Sequence, residues 1–461
     1  MHLEQFSDIN LEEYSSKKLS LPAVPSRYIE TMSGSETWNN DKESVVYNAL
    51  PFARTELLNV PIKSARILCQ GDDVKKVIEI IFDLKDHPVD FLPGDTIGIQ
   101  PINRDQDVNF LIDTLELSSN TDKKVNLSIM KTTQKKAAKL PNYLPEITTN
   151  RILLRNYLNM YSAPKKLFLR ALVEFTDDKR ERLLLQILCS KEGGGFYNQY
   201  VTEKGMTFLD LLKLCPSCKP PMGILIEHLP RLLPRPYSVA NSSLKSPKEL
   251  KIVFSVLTDE SQKGLTTEML EEMVEKFLKN KNNPCSVNLY FRDENAFKYT
   301  QDDLNKNIIM IGIGCGISPF VGFLEHKFEL EKQLVTGKRD FKTWLFSGSR
   351  YCRNALFRKE ICDFLEAGTI DEYFESNSRE VDSEFKYVQD QIVSNAERFV
   401  NLLLCPQTKI YVCADGNEIS KKIVACIEEC IKSVCNLPIE EASDILKDMR
   451  RNARYIEDIW L

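Results

Sequence analysis

The sequence predicts a mixed fold: an antiparallel β-barrel interrupted by a helical insertion, followed by a parallel, doubly wound α/β sheet. Three observations carry this expectation. Strand-like runs cluster at about 58–100 and 222–295, and the residues between them, from 105 to about 215, are mostly helical in pattern. After about residue 300, short apolar runs alternate with amphipathic stretches, strand then helix then strand. One such run, Ile308–Ile311, enters a turn with three alternating glycines, Gly312, Gly314 and Gly316. The expected divisions are a flexible linker over 1–50, a barrel domain over 51–298 with its helical insertion at about 105–220, and an α/β domain over 299–461.

Each element has its own signal. Residues 1 to about 50 are polar, rich in serine, asparagine and charge, with little periodicity, which reads as a linker. Val74–Leu84 is β-rich, Pro93-Gly94-Asp95 makes a turn, and Thr96–Ile99 resumes extended character. Val108, Leu111, Ile112 and Leu115 then recur at helical spacing. Strand character is expected again at Met222–Glu227, at Lys251–Leu257 and at Ser286–Phe291. Beyond the glycine turn, Thr343–Phe346 and Lys409–Cys413 read as further strands of a parallel sheet.

Composition narrows the function. With 43% hydrophobic and 28% charged residues, the 461-residue chain is ordinary for a globular protein and large enough for two or three domains. The net charge of −5 weighs against nucleic-acid binding. No apolar run approaches the ~20 residues needed to span a bilayer. The 13 cysteines show no framework spacing, and the opening Met1-His2-Leu3-Glu4 begins no secretory segment, so a reduced, cytoplasmic protein is expected. No metal is expected: the four histidines, His2, His87, His228 and His326, have no ligand spacing, and Cys215-Pro-Ser-Cys218 lacks a second pair. That CxxC fits a redox pair or, better, two structural thiols beside a loop. Cys426, Cys430 and Cys435 read as small apolar residues of a helix.

Six motifs carry chemistry. In Arg235-Pro236-Tyr237-Ser238 the arginine offers a donor fork for phosphate, the tyrosine an aromatic face and the serine a short polar contact, although a strand with one surface arginine fits as well. Lys263-Gly264-Leu265-Thr266-Thr267 suits a helix N-terminus that receives phosphate, or an ordinary capped helix near Thr266. Gly312-Ile-Gly314-Cys315-Gly316, preceded by a strand and followed by Pro319, suits a dinucleotide pyrophosphate, or a purely structural glycine turn. Ser378-Arg379 with Lys386-Tyr387-Val388-Gln389 suits a 2′-phosphate and an adenine, or a solvated loop. Cys413 and Asp415 end an expected strand, where ligands gather in open α/β sheets. The last motif is Arg454-Tyr-Ile-Glu-Asp458-Ile-Trp460-Leu461, whose Trp-Leu end also fits a docking anchor.

The order of these motifs resembles the reductase half of the diflavin reductase family, over about residues 10–461 and most densely after 222. The stretches Arg235–Ser242, Leu356–Glu360, Lys386–Asp390 and Asp458–Trp460 resemble in particular the branch that reactivates cobalamin-dependent methionine synthase. The resemblance implies a ferredoxin-reductase-like fold with an FAD-binding barrel and an NADP-binding α/β domain. It implies FAD contacts from Arg235, Tyr237 and Ser238, from the strand Phe254-Ser255-Val256, from Gly264, Leu265, Thr266 and Thr267 on the phosphates, and from Trp460 over the flavin ring. NADPH would meet Gly314, Cys315, Gly316 and Arg350 at its pyrophosphate, Asp415 nearby, and Ser378, Arg379, Lys386, Tyr387 and Gln389 at its 2′-phosphate end. Ser238, Cys413 and Asp458 match the family's hydride-transfer trio, with Trp460 as the covering aromatic. The implied partner is methionine synthase or a flavodoxin-like electron carrier. A reductase serving another acceptor and a non-catalytic NADP-binding scaffold are the rival readings. The chain departs from the family at Ile313, where proline is usual, at Cys315, where threonine is usual, and at Glu268 and Met269, where aromatics are usual. It also has no flavodoxin-like FMN domain, so FMN would come from a missing N-terminal domain or a separate protein.

Overall fold

The computed structural model describes residues 9–39, 45–71, 73–257, 264–280, 285–293, 295–333 and 341–460. Lys263, the opening Met1–Glu4 and Leu461 therefore lie outside the described residues. In chain order the first seven strands are β1 (Ile29–Thr37), β2 (Leu58–Gly71), β3 (Val74–Asp83), β4 (Thr96–Ile99), β5 (Lys123–Ile129), β6 (Ile147–Thr148) and β7 (Arg235–Ser238). The remainder are β8 (Glu249–Ser255), β9 (Ser286–Phe291), β10 (Asn307–Ile313), β11 (Thr343–Ser349), β12 (Glu372–Asn377), β13 (Thr408–Asp415) and β14 (Tyr455–Trp460). The chain forms two compact units, one of residues 1–51 and 101–234, the other of 52–100 and 235–461.

The first unit is helical around a small sheet of order β1-β5-β6. Its core is leucine-rich: Leu111, Leu153, Leu154, Leu169, Leu172, Leu184, Leu185 and Leu188 are all buried. Asp178 caps the helix Lys179–Cys189 by accepting from the N–H groups of Arg180 and Glu181, and Thr207 with Asp210 forms a capping box at Phe208–Leu214.

Two expectations are corrected in this unit. The stretch 1–50 is not a linker throughout, because β1 pairs antiparallel with β5, Ile29 opposite Ile129. Only Ile29 of that strand is buried; the rest is half or fully exposed, so no apolar alternation marks it in the sequence. Met222–Glu227 is not a strand but the body of a helix, Met222–His228. Met222, Gly223, Ile224, Leu225 and Ile226 are all buried, and a short run apolar on every side carries no readable period. Gly223 lets this helix approach β1: a Cβ there would stand 2.3 Å from the Ile29 carbonyl oxygen. Glu227 seals the approach, its Oε1 accepting from the N–H groups of Tyr28 and Ile29 at 2.7 Å each. Cys215 and Cys218 are buried free thiols, both pushed up by burial, Cys218 to about 11.

The second unit begins with six antiparallel strands in the order β7-β4-β9-β2-β3-β8, a nearly closed barrel. Alternate residues fill it, among them Val60, Ile62, Ile78, Ile80, Phe82, Ile97, Ile99, Ile252, Phe254, Leu289 and Phe291. The chain leaves this unit after Gln100 and returns at Arg235, so the barrel resumes at β7, later than the expected 222. There follows a parallel five-stranded sheet of order β12-β11-β10-β13-β14. Its centre, β10, is buried over Asn307–Gly312, as a strand covered on both faces must be. The chain steps outward from β10 to β11 and β12, then crosses back to β13, so the order reverses between β10 and β13. Ligand crevices form at such switch points, beyond the carboxyl ends of the strands. Among the described residues no helix is long and apolar enough to cross a membrane.

Candidate active site at the switch point

The loop after β10 is shaped by its glycines. Gly314 has φ +58°, in the left-handed region, and a Cβ there would meet nothing within 4 Å. Gly316 is the opposite case: a Cβ would stand 2.1 Å from the Cys413 carbonyl oxygen, so only glycine lets this turn press against the end of β13. The turn leads into the helix Ser318–Lys332, with Pro319 in its first turn, and directs a helix N-terminus at the crevice. Burial pushes the Cys315 thiol up to about 12, so it stays protonated at neutral pH.

Three of the expected residues converge on one carboxylate oxygen of a fourth, Asp458. Cys413 and Asp458 are direct partners in the β13–β14 register. Ser238, at the end of β7, donates to Asp458 Oδ2 at 2.5 Å. Trp460 Nε1 donates to the same oxygen at 3.2 Å, and Cys413 Sγ lies 4.0 Å from it. Burial raises the Asp458 carboxyl above its ordinary range, and the bonds from Ser238 and Trp460 pull it partly back. Burial, reinforced by the neighbouring Asp458 charge, holds Cys413 well above the usual thiol range. Cys413 is thus a neutral thiol, suited to packing and weak donation, not to nucleophilic attack.

Beside this cluster lies a groove of about 390 Å³. Gly314, Cys315, Arg350, Ser378, Lys386, Tyr387, Gln389, Asp415, Ser255 and Trp460 all line it, although they are drawn from seven separate stretches of sequence. Tyr387 is exposed at its rim and is set by Asp390, whose Oδ2 accepts from the Lys386 and Tyr387 N–H groups at 3.0 and 2.9 Å. The Ser378 hydroxyl donates to the Ser349 carbonyl at 3.3 Å. Arg379 does not line the groove; it pairs with Asp73.

Apart from Ser255, the expected barrel-side residues are not part of the groove lining. Tyr237 on β7 meets Phe254 on β8 edge-on, ring centroids 5.9 Å apart, and Arg235 is exposed on the same strand. Val256 continues from β8, its N–H bonded to the Lys76 carbonyl at 2.8 Å. Gly264 precedes the helix Leu265–Lys279, and Thr266 and Thr267 are buried in its first turn. Thr267 Oγ1 accepts from the Leu257 N–H at 3.2 Å and donates to the Gly264 carbonyl at 3.0 Å, so that hydroxyl bridges Leu257 and Gly264. Met269, at a position the family fills with an aromatic, packs against the barrel core.

Sequence reasoning missed Cys69, Val74, Lys75, Val77, Asn354, Ile419 and Lys422 in the groove wall. Lys75 pairs with Asp415 at 2.6 Å. The available signal was the turn between two β-rich runs, which places Asp73 and Lys75 together at a hairpin end. Nothing local in the sequence says which surface a hairpin end meets.

Comparison with known proteins agrees with this geometry. The FAD binding domain family matches residues 50–268, and the oxidoreductase NAD-binding domain family matches 310–419. The chain belongs to the FAD- and NAD-binding oxidoreductases, and the barrel followed by a parallel sheet is their ferredoxin-reductase-like arrangement. Within that class it is a homologue of methionine synthase reductase. It is 33% identical over 469 residues to the protein of Bos taurus and also to that of Homo sapiens, covering 97% of this chain and 66% of each relative. NADPH–cytochrome P450 reductase of Homo sapiens is 27% identical over 441 residues, covering 94% of this chain and 62% of the relative. The chain thus spans less than the full length of the curated relatives it matches.

Proposed function

We propose that the chain is a flavoprotein reductase that takes reducing equivalents from NADPH through FAD and passes them singly to a protein acceptor, as part of the reductive reactivation of cobalamin-dependent methionine synthase. The observation that carries this reading is the convergence of Ser238, Cys413 and Trp460 on Asp458 beside the groove at the switch point of the parallel sheet. The groove fits its ligand chemically. The open Gly314 position and the helix N-terminus behind it suit a pyrophosphate, Arg350 and Lys386 supply cations, and Tyr387 supplies an aromatic face.

When bound, NADPH supplies a hydride and FAD accepts it, which leaves positive charge on the nicotinamide. The protein's task is to hold the reacting groups and to favour that charge. Asp458 does the second: a carboxylate penalised by burial gains most from a positive neighbour. Ser238 and Trp460 keep its oxygen aimed, and the neutral, buried Cys413 thiol packs beside it without competing as a base. Trp460 is half-buried and lines the groove, and it is the residue we assign to covering the flavin ring; in that role it would have to move before the nicotinamide stacks. On the barrel, Arg235, Tyr237, Phe254, Ser255, Val256 and Gly264–Thr267 are the residues we assign to FAD. Ser378, Arg379, Lys386, Tyr387 and Gln389 are assigned to the 2′-phosphate end of NADPH. All 13 cysteines are free thiols, which supports a reducing, cytoplasmic setting.

The test is a turnover assay on the purified chain supplied with FAD. A yellow protein that reduces ferricyanide with NADPH, and with NADH only slowly, supports the reductase. Reactivation of methionine synthase on adding a flavodoxin-like carrier supports the acceptor. A colourless protein that takes up no FAD and still binds methionine synthase overturns the enzymatic reading in favour of the scaffold.

A further inference from the structure

Asp73, immediately before β3, makes an unusual set of contacts for a hairpin residue. Its carboxylate pairs with Arg379, lies 3.7 Å from Arg350 Nη1, and accepts from the Tyr351 hydroxyl at 2.7 Å. Its own carbonyl accepts from Arg350 as well. Four donor contacts from three side chains thus close on one anionic residue. They belong to the segments that follow β11 and β12, which also supply Arg350 and Ser378 to the groove wall. Two residues on, Lys75 pairs with Asp415 at the end of β13. The start of β3 is therefore tied by charge to both sides of the groove.

A planar carboxylate gathered by arginine forks and a tyrosine hydroxyl is bound as a phosphate would be, through charge-assisted bonds to several oxygens. We propose that Asp73 is a specificity-determining residue, an internal competitor for the phosphate groups of the dinucleotide and above all for the 2′-phosphate. Asp73 and that phosphate need the same donors, so binding of one displaces the other. The inference rests on the reading above that Arg379 faces the 2′-phosphate. The side chains are half exposed, with Asp73 at 48%, Arg379 at 46% and Arg350 at 40%, so the contact is weak enough for a dianion to displace. The consequence is a graded reduction of affinity for 2′-phosphorylated nucleotide, because only the fraction of molecules with Asp73 disengaged presents free donors. Asp73 also lowers the advantage of NADPH over NADH, which lacks the competing group.

Calorimetric titration of the full chain with adenosine 2′,5′-bisphosphate tests this, with 5′-AMP as the control ligand. Asp73→Asn is expected to bind the bisphosphate about threefold to tenfold more tightly and 5′-AMP more tightly by a clearly smaller factor. Asp73→Ser should do the same, which guards against a fault peculiar to one variant. Asp302→Asn removes an exposed acidic charge on the short helix Gln301–Asn305 that precedes β10, at the end of that strand away from the glycine turn, and should leave both affinities unchanged. Equal tightening by Asp302→Asn would reduce the effect to net charge and overturn the proposal. Arg379→Gln separates the two layers of the argument. If it weakens the bisphosphate while the Asp73 variants change nothing or weaken it too, the 2′-phosphate reading stands and the competitor is disproved. If Arg379→Gln has no effect, the reading of the site fails, and the proposal fails with it.

Discussion

Asp458 is the residue on which the site turns, and its energetics set stability against use. Burial raises its folded-state pKa above the ordinary aspartate value, so the charged form costs stability. The sign follows from proton linkage: the folded state binds the proton more tightly, so this residue's contribution is intact below the ordinary pKa and is lost as pH rises through the folded value. Asp458→Asn removes that loss while leaving an oxygen for Ser238 and Trp460. Thermal unfolding of the two proteins should therefore converge near pH 4, with the variant gaining relative to the parent as pH rises towards 7.5. A variant less stable at every pH would mean that its hydrogen bonds outweigh the burial of charge. Much of this cluster was legible in the sequence, because Ser238, Cys413, Asp458 and Trp460 stand in recognisable short motifs. Asp73 and Lys75 were not legible, because an acid and a lysine near a hairpin turn look like any solvated loop until the surface they meet is known.

At the scale of elements, the glycine turn after β10 and the helix Met222–His228 make opposite lessons. The turn was readable from three glycines after an apolar strand, and the structure gives each a distinct reason. Gly316→Ala drives a Cβ to within 2.1 Å of the Cys413 carbonyl, and overpacking of that kind costs about 1–3 kcal/mol. Gly314→Ala meets no neighbour and pays only for its positive φ, about 1–2 kcal/mol. Urea unfolding should rank Gly316→Ala as the less stable, and it should also lose nucleotide affinity because the turn shifts; the reverse ranking would contradict the packing. The helix was misread as a strand because its buried residues leave no period. Its docking on β1 rests on Gly223, so Gly223→Ala should destabilise the first unit and raise proteolysis within residues 29–37. Unchanged proteolysis would return that stretch to the linker first expected.

For the whole molecule, the order of segments was the strongest message in the sequence. A barrel begun before residue 100, a helical excursion and a parallel sheet after 300 follow from changes of period alone, and two domain families match across them. What period does not report is where an excursion ends, which is why the barrel resumes at Arg235 and not at Met222. The account's central claim is that Asp458 and its neighbours carry hydride transfer from NADPH to FAD. Stopped-flow bleaching of the FAD-loaded chain by excess NADPH, without oxygen, tests it most directly, with the parent compared with Asp458→Asn and with NADPH bearing deuterium at C4. The account predicts bleaching that is about a hundredfold slower in the variant, with a clear isotope effect and unchanged nucleotide affinity. Bleaching of the variant at the parent's rate, or no bleaching of the parent by NADPH, would contradict it.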